Sequence, residues 1–368
     1  MSSWPAVIGL AFAFVFGARA APIELAPLST PGGGSPVILA GAPPDSPDAR
    51  VDANVPGSPF AGVVSINVRY VDALGEPLSF ICSGSAITSF HVLTAGHCLE
   101  GLSAGVAVDI TQAGNSVRIL VNDDDTVTPA TDIFRANRVV IHPDFHGIFD
   151  CSAGLCGLND DLAIITLSNR LPDALPKYRL LETPVLPGAV FTMVGYGQSG
   201  NGIDGRNVDS DFFIRRTGGN VFDVFDRDDE QGYAASSPPE IFGFDFDGVK
   251  NGVLRDNFCE RLGICSAVLP NDVETLLGGG DSGGPSFIQD GADWLLAGIN
   301  TFSYFNDYGS DTTRGDFGDT GGGVLLHSYL GWIQANLSTV PAPATHLLFL
   351  AGIAGLAACR RKRVQART

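Results

Sequence analysis

The chain has 368 residues, and 45% of them are hydrophobic. This length is enough for one large domain or two medium-sized domains, each with a hydrophobic core. The 22 basic residues stand against 40 acidic ones, which gives a formal net charge of −18. Such a surface repels nucleic acid and anionic lipid, so the charge argues against a polyanion-binding protein and predicts no nucleic-acid partner.

The N-terminal region carries the marks of export. An apolar run is followed by small residues at Ala18 and Ala20, which is typical of a secretory signal peptide over residues 1–20. Residues 21–50 are rich in Pro and Gly and are predicted to be a flexible linker or a pro-segment. This composition disfavours the alternative of a buried N-terminal helix.

Residues 51–338 are predicted to form the folded body. Short apolar stretches such as HVLTA, LAIITL, FTMVGYG and WLLAGINTF alternate there with turns rich in Gly, Asp and Asn. Long stretches with helical periodicity are nearly absent. The pattern therefore predicts an all-β protein with long loops.

The cysteines favour a disulfide framework. Export would place the body in an oxidising compartment, and none of the cysteines has zinc-ligand spacing with histidines alongside. Nearest-neighbour pairing is the simplest connectivity, although the sequence does not fix it. Six of the seven cysteines form three sequence-local pairs, which are Cys82 with Cys98, Cys151 with Cys156, and Cys259 with Cys265.

Two polar positions beside apolar strands suggest a catalytic base and its acid. Acyl transfer needs a hydroxyl, a base of near-neutral pKa, and an acid that fixes the tautomer of the base. Of six histidines, His97 is the best candidate because it ends a strand in LTAGHC. Asp160 and Asp161 precede the apolar run LAIITL. Taken alone, paired aspartates before a strand are more often a turn than a catalytic acid.

The stretch GGGDSGGPS, residues 278–286, supplies a candidate nucleophile at Ser282. Glycine-rich loops are commonly flexible surface loops. Glycines on both sides of a serine also allow dihedrals that are closed to other residues, so that two backbone N–H groups can converge on one point. The presence of a base and an acid elsewhere favours a rigid turn that holds a nucleophile.

These three motifs together resemble the trypsin/chymotrypsin family of serine endopeptidases. LTAGHC, NDDLAII and GDSGGP match the family's histidine, aspartate and serine blocks in the family's order. The resemblance implies two packed six-stranded antiparallel β-barrels, about residues 51–180 and 181–338, with a C-terminal helix. It also implies a disulfide beside the histidine. The implied site is a triad of His97, Asp161 and Ser282, with an oxyanion hole at the N–H groups of Gly280 and Ser282.

The resemblance also implies an activation step. Members of the family are cut after a basic residue, and the new N-terminus pairs with the aspartate before the nucleophile, here Asp281. The family's usual Ile-Val-Gly-Gly is absent from this sequence. The nearest candidate is the bond between Arg50 and Val51, so Val51 and Asp281 are predicted to form the activation pair.

The implied specificity pocket lacks an acid. Its base falls on Leu276, where trypsin-like members have an aspartate that receives Lys or Arg. The strand wall falls on Thr301, Phe302 and Ser303. The sequence therefore predicts an apolar or small side chain at the substrate's P1 position, the residue before the scissile bond, rather than tryptic specificity.

Two Asp-rich inserts raise the question of calcium. Residues 222–252 and 304–323 are longer than the family norm, and their carboxylates could bind Ca²⁺. Neither insert has the regular spacing of a calcium loop, and solvated acidic loops remain the favoured interpretation. The chemistry requires no cofactor. His142, Asp144 and His146 are interpreted as a strand-end loop rather than a metal site.

The C-terminal tail, residues 339–368, has three parts. A Pro-rich hinge at 341–343 precedes a short apolar run over 347–359 and a basic cluster. The tail resembles the PEP-CTERM sorting signal of Gram-negative bacteria, with Ala342 in place of the signal's glutamate. The resemblance implies transient anchoring in the inner membrane and processing by an exosortase. The alternative is an ordinary C-terminal membrane anchor.

The combined prediction is an exported serine endopeptidase that acts on proteins or peptides outside the cell or at its surface. The alternative is a catalytically silent surface-binding protein on the same fold. Loss of a triad residue usually marks such proteins, and all three residues are present here.

Overall fold

The computed structural model describes residues 38–124, 132–148, 158–304 and 313–337. Most of the regular structure in these residues is β, in agreement with the predicted class. The first seven strands are β1 (Val51–Asp52), β2 (Val63–Val71), β3 (Pro77–Ala86), β4 (His91–Thr94), β5 (Ser116–Leu120), β6 (Ile133–Ile141) and β7 (Ala163–Leu167).

The second half of the chain adds twelve further strands among the described residues. They are β8 (Arg179–Leu180), β9 (Val190–Gly195), β10 (Ser199–Asn201), β11 (Gly205–Val208), β12 (Arg215–Val221), β13 (Val224–Arg227), β14 (Pro239–Asp245), β15 (Gly248–Lys250), β16 (Val253–Arg255), β17 (Pro285–Asp290), β18 (Asp293–Tyr304) and β19 (Thr320–Leu325).

The helices are short. α1 (Asn257–Leu262) follows β16, and α2 (Leu330–Leu337) is the predicted C-terminal helix. Three 3-10 helices cover Pro47–Arg50, His97–Leu99 and Leu326–Tyr329. Within the described ranges, no helix has both the length and the apolar character needed to span a membrane.

The first half forms a closed barrel. Six antiparallel strands follow one another in the order β2, β3, β4, β7, β6 and β5, and β5 pairs with β2 to close the ring. The short apolar strands β4 and β7 are buried along their whole length. Val, Ile and Leu side chains fill the interior, and the β-branched Val and Ile are the residues that favour a pleated, buried surface.

The second half forms a nine-stranded sheet, in which closure into the predicted six-stranded barrel is not shown. The order is β1, β12, β9, β17, β18, β19, β14 and β13, and β8 pairs with β18. No backbone ladder joins β12 to β14 among the described residues. The segment around Glu274 instead pairs with β12, where the Gly219 N–H donates to the Val273 carbonyl (2.7 Å).

The seam between β12 and β14 is still bridged. The Asn220 side chain donates to the carbonyls of Asp245 (2.7 Å) and Thr275 (2.8 Å). Just past the end of β12, the Asp223 N–H donates to the Gly243 carbonyl (3.0 Å). These contacts bring β12 and β14, which are distant in the strand order, close to each other. The segment around Glu274 lies between them.

Residues 38–50, which belong to the segment predicted to be a linker or a pro-segment, are packed against the second half. The side chains of Ile38 and Leu39 are fully buried. The Ala40 N–H donates to the Gly200 carbonyl, and the Gly202 N–H donates back to the Ala40 carbonyl, both at 3.0 Å. This part of the predicted spacer therefore belongs to the folded body.

Candidate active site

His97 and Asp161 meet because β4 and β7 are neighbours. Thr94 at the end of β4 pairs with Ala163 at the start of β7, so the residues just beyond the two strands lie side by side. The Asp161 Oδ2 atom lies 2.7 Å from His97 Nδ1, and Oδ1 accepts the His97 backbone N–H at 2.8 Å. The carboxylate thus fixes both the backbone and the ring of His97, with Nδ1 as the donor.

The environment raises the pKa of His97. Burial by itself lowers this pKa, but the charge of Asp161, its hydrogen bond and the charge of Glu100 more than offset burial. The result is a pKa above the ordinary value of 6.5. Burial also raises the pKa of Glu100, whose carboxylate accepts the Gly105 N–H. The sequence offered no motif that marks Glu100.

The Cys82–Cys98 disulfide stands where the two halves meet. It joins β3 to the 3-10 helix that carries His97. The Cys98 Sγ atom lies 3.5 Å from the Ser282 carbonyl oxygen and 3.9 Å from His97 Nε2. The Ser83 N–H donates to the same Ser282 carbonyl at 2.8 Å. The serine backbone of the second half is therefore docked on the disulfide beside His97.

The Ser282 side chain makes no hydrogen bond within the described parts of the chain, and none joins its Oγ to His97 Nε2. Catalytic hydrogen bonds are often long in enzymes without substrate and tighten when substrate binds. What the structure brings together is the histidine–aspartate pair and the backbone of the serine loop.

The serine loop is held rigidly by its glycines. Gly280 has φ = +106° and Gly283 has φ = +80°. A Cβ atom on Gly283 would lie 2.0 Å from Thr94 Oγ1, so a larger residue does not fit. The Gly283 N–H donates to the Asn300 carbonyl (2.7 Å), which ties the loop to β18.

Three N–H groups of this loop, those of Gly279, Gly280 and Ser282, have no acceptor among the described residues, while the N–H groups of Gly278, Asp281, Gly283 and Gly284 all donate within the protein. Gly280 and Ser282 are the two residues predicted for the oxyanion hole. Fixed donors without an internal acceptor are the groups that can stabilise a developing oxyanion.

Asp281 anchors the loop from inside. Its Oδ2 atom accepts the Gly278 N–H (2.7 Å) and its Oδ1 atom accepts the Gly197 N–H (2.8 Å). The residue is completely buried and forms no ion pair with a described residue. Burial raises its pKa to about 6, although the two N–H groups and the charges of Arg206 and Arg216 act in the opposite direction.

Ile38 lies between the two chain segments that hold Asp281. The Leu39 N–H donates to the Leu276 carbonyl at 3.3 Å, and the Ser199 hydroxyl donates to the Ile38 carbonyl. Leu276 and Ser199 are each two residues from an N–H that binds Asp281. Ile38 also has φ = +67°. For a β-branched residue this conformation is an outlier that the surroundings must enforce.

The predicted cleavage site at Arg50 is buried. The Arg50 guanidinium forms an ion pair with Asp45 at 2.6 Å, and both side chains are almost fully buried. It also donates to the backbone carbonyls of Asn271, Val273 and Glu274. Val51 is 42% exposed and pairs with Arg216 on the sheet. The arrangement therefore argues against Val51 as the partner of Asp281.

The predicted pocket residues lie on two facing segments. Leu276 and Thr301 are buried, and Phe302 packs over the Gly322 backbone. The Arg206 guanidinium bridges the segments, with Nη2 donating to the Leu277 carbonyl (2.9 Å) and to Ser303 Oγ (2.6 Å). Sequence reasoning missed this cation, because β11 has no motif that connects it to the pocket.

The remaining predicted sites have mixed outcomes. Cys259 and Cys265 form a disulfide at the end of α1, whereas Cys151 and Cys156 lie outside the described residues. The signal peptide and the C-terminal tail also lie outside them. His142 Nδ1 lies 3.1 Å from Asp160 Oδ1, and its ring packs edge-on against Tyr329.

Comparison with known proteins points to one family. Residues 53–210 match the family model described as Trypsin. Among curated proteins, the chain is similar to ovochymase from Halocynthia roretzi, with 24% identity over 284 residues. That alignment covers 75% of this chain and 14% of ovochymase, so the chain spans a small part of that relative's length. Residues 53–210 are thus a trypsin-family domain that contains His97 and Asp161.

Proposed function

We propose that the protein is a serine endopeptidase that cleaves proteins or peptides. The observation that carries the proposal is the His97–Asp161 pair, held at 2.7 Å beside the backbone of the Ser282 loop. The disulfides and the trypsin-family domain fit an extracellular protein. The closed barrel and the nine-stranded sheet would act as the two halves of a chymotrypsin-like fold.

In the proposed reaction, Ser282 Oγ attacks the carbonyl carbon of the scissile peptide bond. His97 Nε2 accepts the serine proton as the bond forms and returns it to the leaving amine. Asp161 holds the ring with Nδ1–H directed at its carboxylate. The N–H groups of Gly280 and Ser282 receive the oxyanion of the tetrahedral intermediate. Water then repeats the sequence on the acyl-enzyme and frees Ser282.

A fluorophosphonate probe tests this proposal directly. The probe phosphonylates an activated serine, so we expect one label per protein at Ser282, located by peptide mass spectrometry. Ser282→Ala should abolish labelling. Ser286→Ala is the matched control, because Ser286 lies in the same motif but bonds to Asn300 Oδ1. Folded protein that takes no label would instead support the catalytically silent binding protein.

The proposed specificity is for a neutral P1 residue, apolar or small. Leu276 offers no negative charge, and the Arg206 guanidinium repels a Lys or Arg side chain. In a peptide series that varies only P1, we expect kcat/KM for Lys and Arg to be at least about tenfold below the best neutral residue. A tryptic preference would contradict the proposal. A preference for Asp or Glu would also overturn it and would make Arg206 the receptor of the substrate side chain.

The proposed activation pair is Ile38 with Asp281, which replaces the predicted Val51. Cleavage before Ile38 would create an ammonium group next to the segments that hold the buried carboxylate. It would also remove the φ constraint at Ile38, because a terminal residue has no preceding carbonyl. The sequence feature that could have indicated this N-terminus is the apolar run Ile38-Leu39-Ala40, directly after the Gly/Pro-rich stretch.

The proposed route out of the cell combines the signal peptide over residues 1–20 with the PEP-CTERM-like tail. The tail would anchor the protein transiently in the inner membrane of a Gram-negative bacterium until an exosortase removes it. The intact mass of the exported protein measures both ends at once. A mass that retains residues 347–368 would favour the ordinary anchor.

A further inference from the structure

Five acidic side chains are buried together at the seam of the second sheet. They come from four places in the chain, which are the end of β12, the end of β14, the start of α1 and the segment around Glu274 that pairs with β12. Each is at most 8% exposed. The five are Asp223, Asp245, Asp247, Asp256 and Glu274.

Three of these carboxylates converge on one point. Asp245, Asp247 and Asp256 each present an oxygen within 4.8 Å of the other two. Backbone N–H groups orient two of them, because Phe258 donates to Asp245 Oδ2 (2.8 Å) and Cys259 donates to Asp256 Oδ1 (2.9 Å). The carboxylates are therefore held in place rather than free to turn away from each other.

Two further carboxylates approach the same three. Asp223 Oδ2 accepts the Asp245 N–H at 3.3 Å. Glu274 hydrogen-bonds to the Asp247 backbone, and its Oε2 atom accepts the Leu269 N–H at 3.1 Å. The other oxygen of Glu274, Oε1, is buried without a hydrogen-bond partner among the described residues, whereas the Ser266 side chain also approaches Asp223.

Among the described residues, no cationic side chain forms an ion pair with this cluster. None of the five forms an ion pair in the described parts of the chain, and Asp247 Oδ1 is also buried without a hydrogen-bond partner. Buried acidic groups in proteins are normally paired with a cation or bound to a metal ion, and none of the described residues supplies such a pairing partner here.

We propose that Asp245, Asp247 and Asp256 form a calcium site, with Asp223 and Glu274 completing it from the sides. The donors are all carboxylate oxygens, which suit hard cations and exclude the ions that favour sulfur or imidazole. Ca²⁺ accepts about six to eight oxygens in flexible geometry, whereas Mg²⁺ requires a tight octahedron and retains several waters. A crowded, buried set of five carboxylates matches the coordination preference of Ca²⁺ better than that of Mg²⁺.

The ion would stabilise the second half by linking separate segments of the chain. Its ligands come from the end of β14, the loop after it and the residue that caps α1. Glu274 adds a ligand from the segment that pairs with β12. Glu274 is also two residues before Leu276 at the base of the predicted pocket. Calcium would therefore close the seam of the sheet and fix the pocket, which makes the site a structural feature distinct from the catalytic groups.

Calcium titration of the exported protein tests the site without reference to catalysis. After dialysis against a chelator, we expect calorimetry with CaCl₂ to give about one equivalent bound and the melting temperature to rise with saturation. MgCl₂ should bind at least about tenfold more weakly. Absence of calcium binding by the folded wild-type protein would overturn the proposal, whatever the outcome of serine labelling.

Asp247→Asn distinguishes a ligand from a merely buried acid. We expect at least about a tenfold loss of calcium affinity, because one carboxylate ligand is removed from the site. Asp228→Asn is the control, since Asp228 is equally buried in a separate acidic group with Glu230 and Glu240. Calcium binding that Asp247→Asn leaves unchanged, or that Asp228→Asn abolishes, would refute the assignment.

Discussion

Asp161→Asn should lower kcat by about 10⁴-fold without unfolding the protein. The carboxylate accepts two hydrogen bonds from His97, one from the backbone N–H and one from Nδ1. An amide in its place would present an N–H to Nδ1 and favour the tautomer whose proton is on Nε2. In that tautomer the ring cannot accept the proton of Ser282. The measurement is single-turnover kinetics on a chromogenic ester or peptide.

Asp160→Asn is the matched control. Asp160 is the adjacent acid of the same motif, yet its Oδ1 atom faces His142 Nδ1 at 3.1 Å. Its φ of +60° lies in the left-handed region, which asparagine tolerates well. We expect this variant to retain activity within about tenfold. Equal losses from both substitutions would mean that Asp161 acts only through the structure of the turn.

The pH profile supplies an independent readout for Asp161. His97 must be neutral to accept a proton, so kcat/KM rises with pH through the pKa of His97 in the free enzyme. Because Asp161 and Glu100 raise that pKa, the acidic limb should have its midpoint above pH 6.5. Removing the Asp161 charge should move the midpoint to lower pH. A limb that does not move would argue against the charge of Asp161 as the cause.

The sequence predicted the parts of the site that depend on neighbouring strands. His97 and Asp161 each lie just outside an apolar strand, and the antiparallel pairing of those strands brings them together. The loop of Ser282 was also predictable, because its glycines are needed at positive φ and at close contacts. In each case a short stretch of sequence determines the local conformation that places the residue in the site.

The features that the sequence did not reveal depend on distant segments. The segment around Glu274 pairs with β12 at Gly219, and no local pattern in DVETLL marks this contact. Arg206 reaches the pocket from a separate hairpin. Ile38 was assigned to a spacer because of its Pro- and Gly-rich surroundings, although its side chain is fully buried. The local amino-acid composition around such residues carries no information about the distant segments that they contact.

A chain whose N-terminus is Ile38 should be about 10²- to 10³-fold more active than a chain that begins one residue earlier, at Val37. In the longer chain Asp281 stays buried without a direct ion-pair partner, and the cost of an unpaired buried charge is of this order. The loop that Asp281 anchors would then lose the geometry of its two N–H donors. Fusion to a removable N-terminal domain gives both forms, and active-site titration with kcat compares them.

Two further variants separate the roles of charge and position. Asp281→Asn in the chain that starts at Ile38 should reduce activity to about the level of the longer chain, because the ammonium loses its partner. A chain that starts at Val51 should not be activated, since it lacks the buried residues 38–50. Equal activity of the Ile38 and Val37 forms would contradict the pairing. The buried Arg216, whose charge already lowers the pKa of Asp281, would then be the cation that compensates this carboxylate.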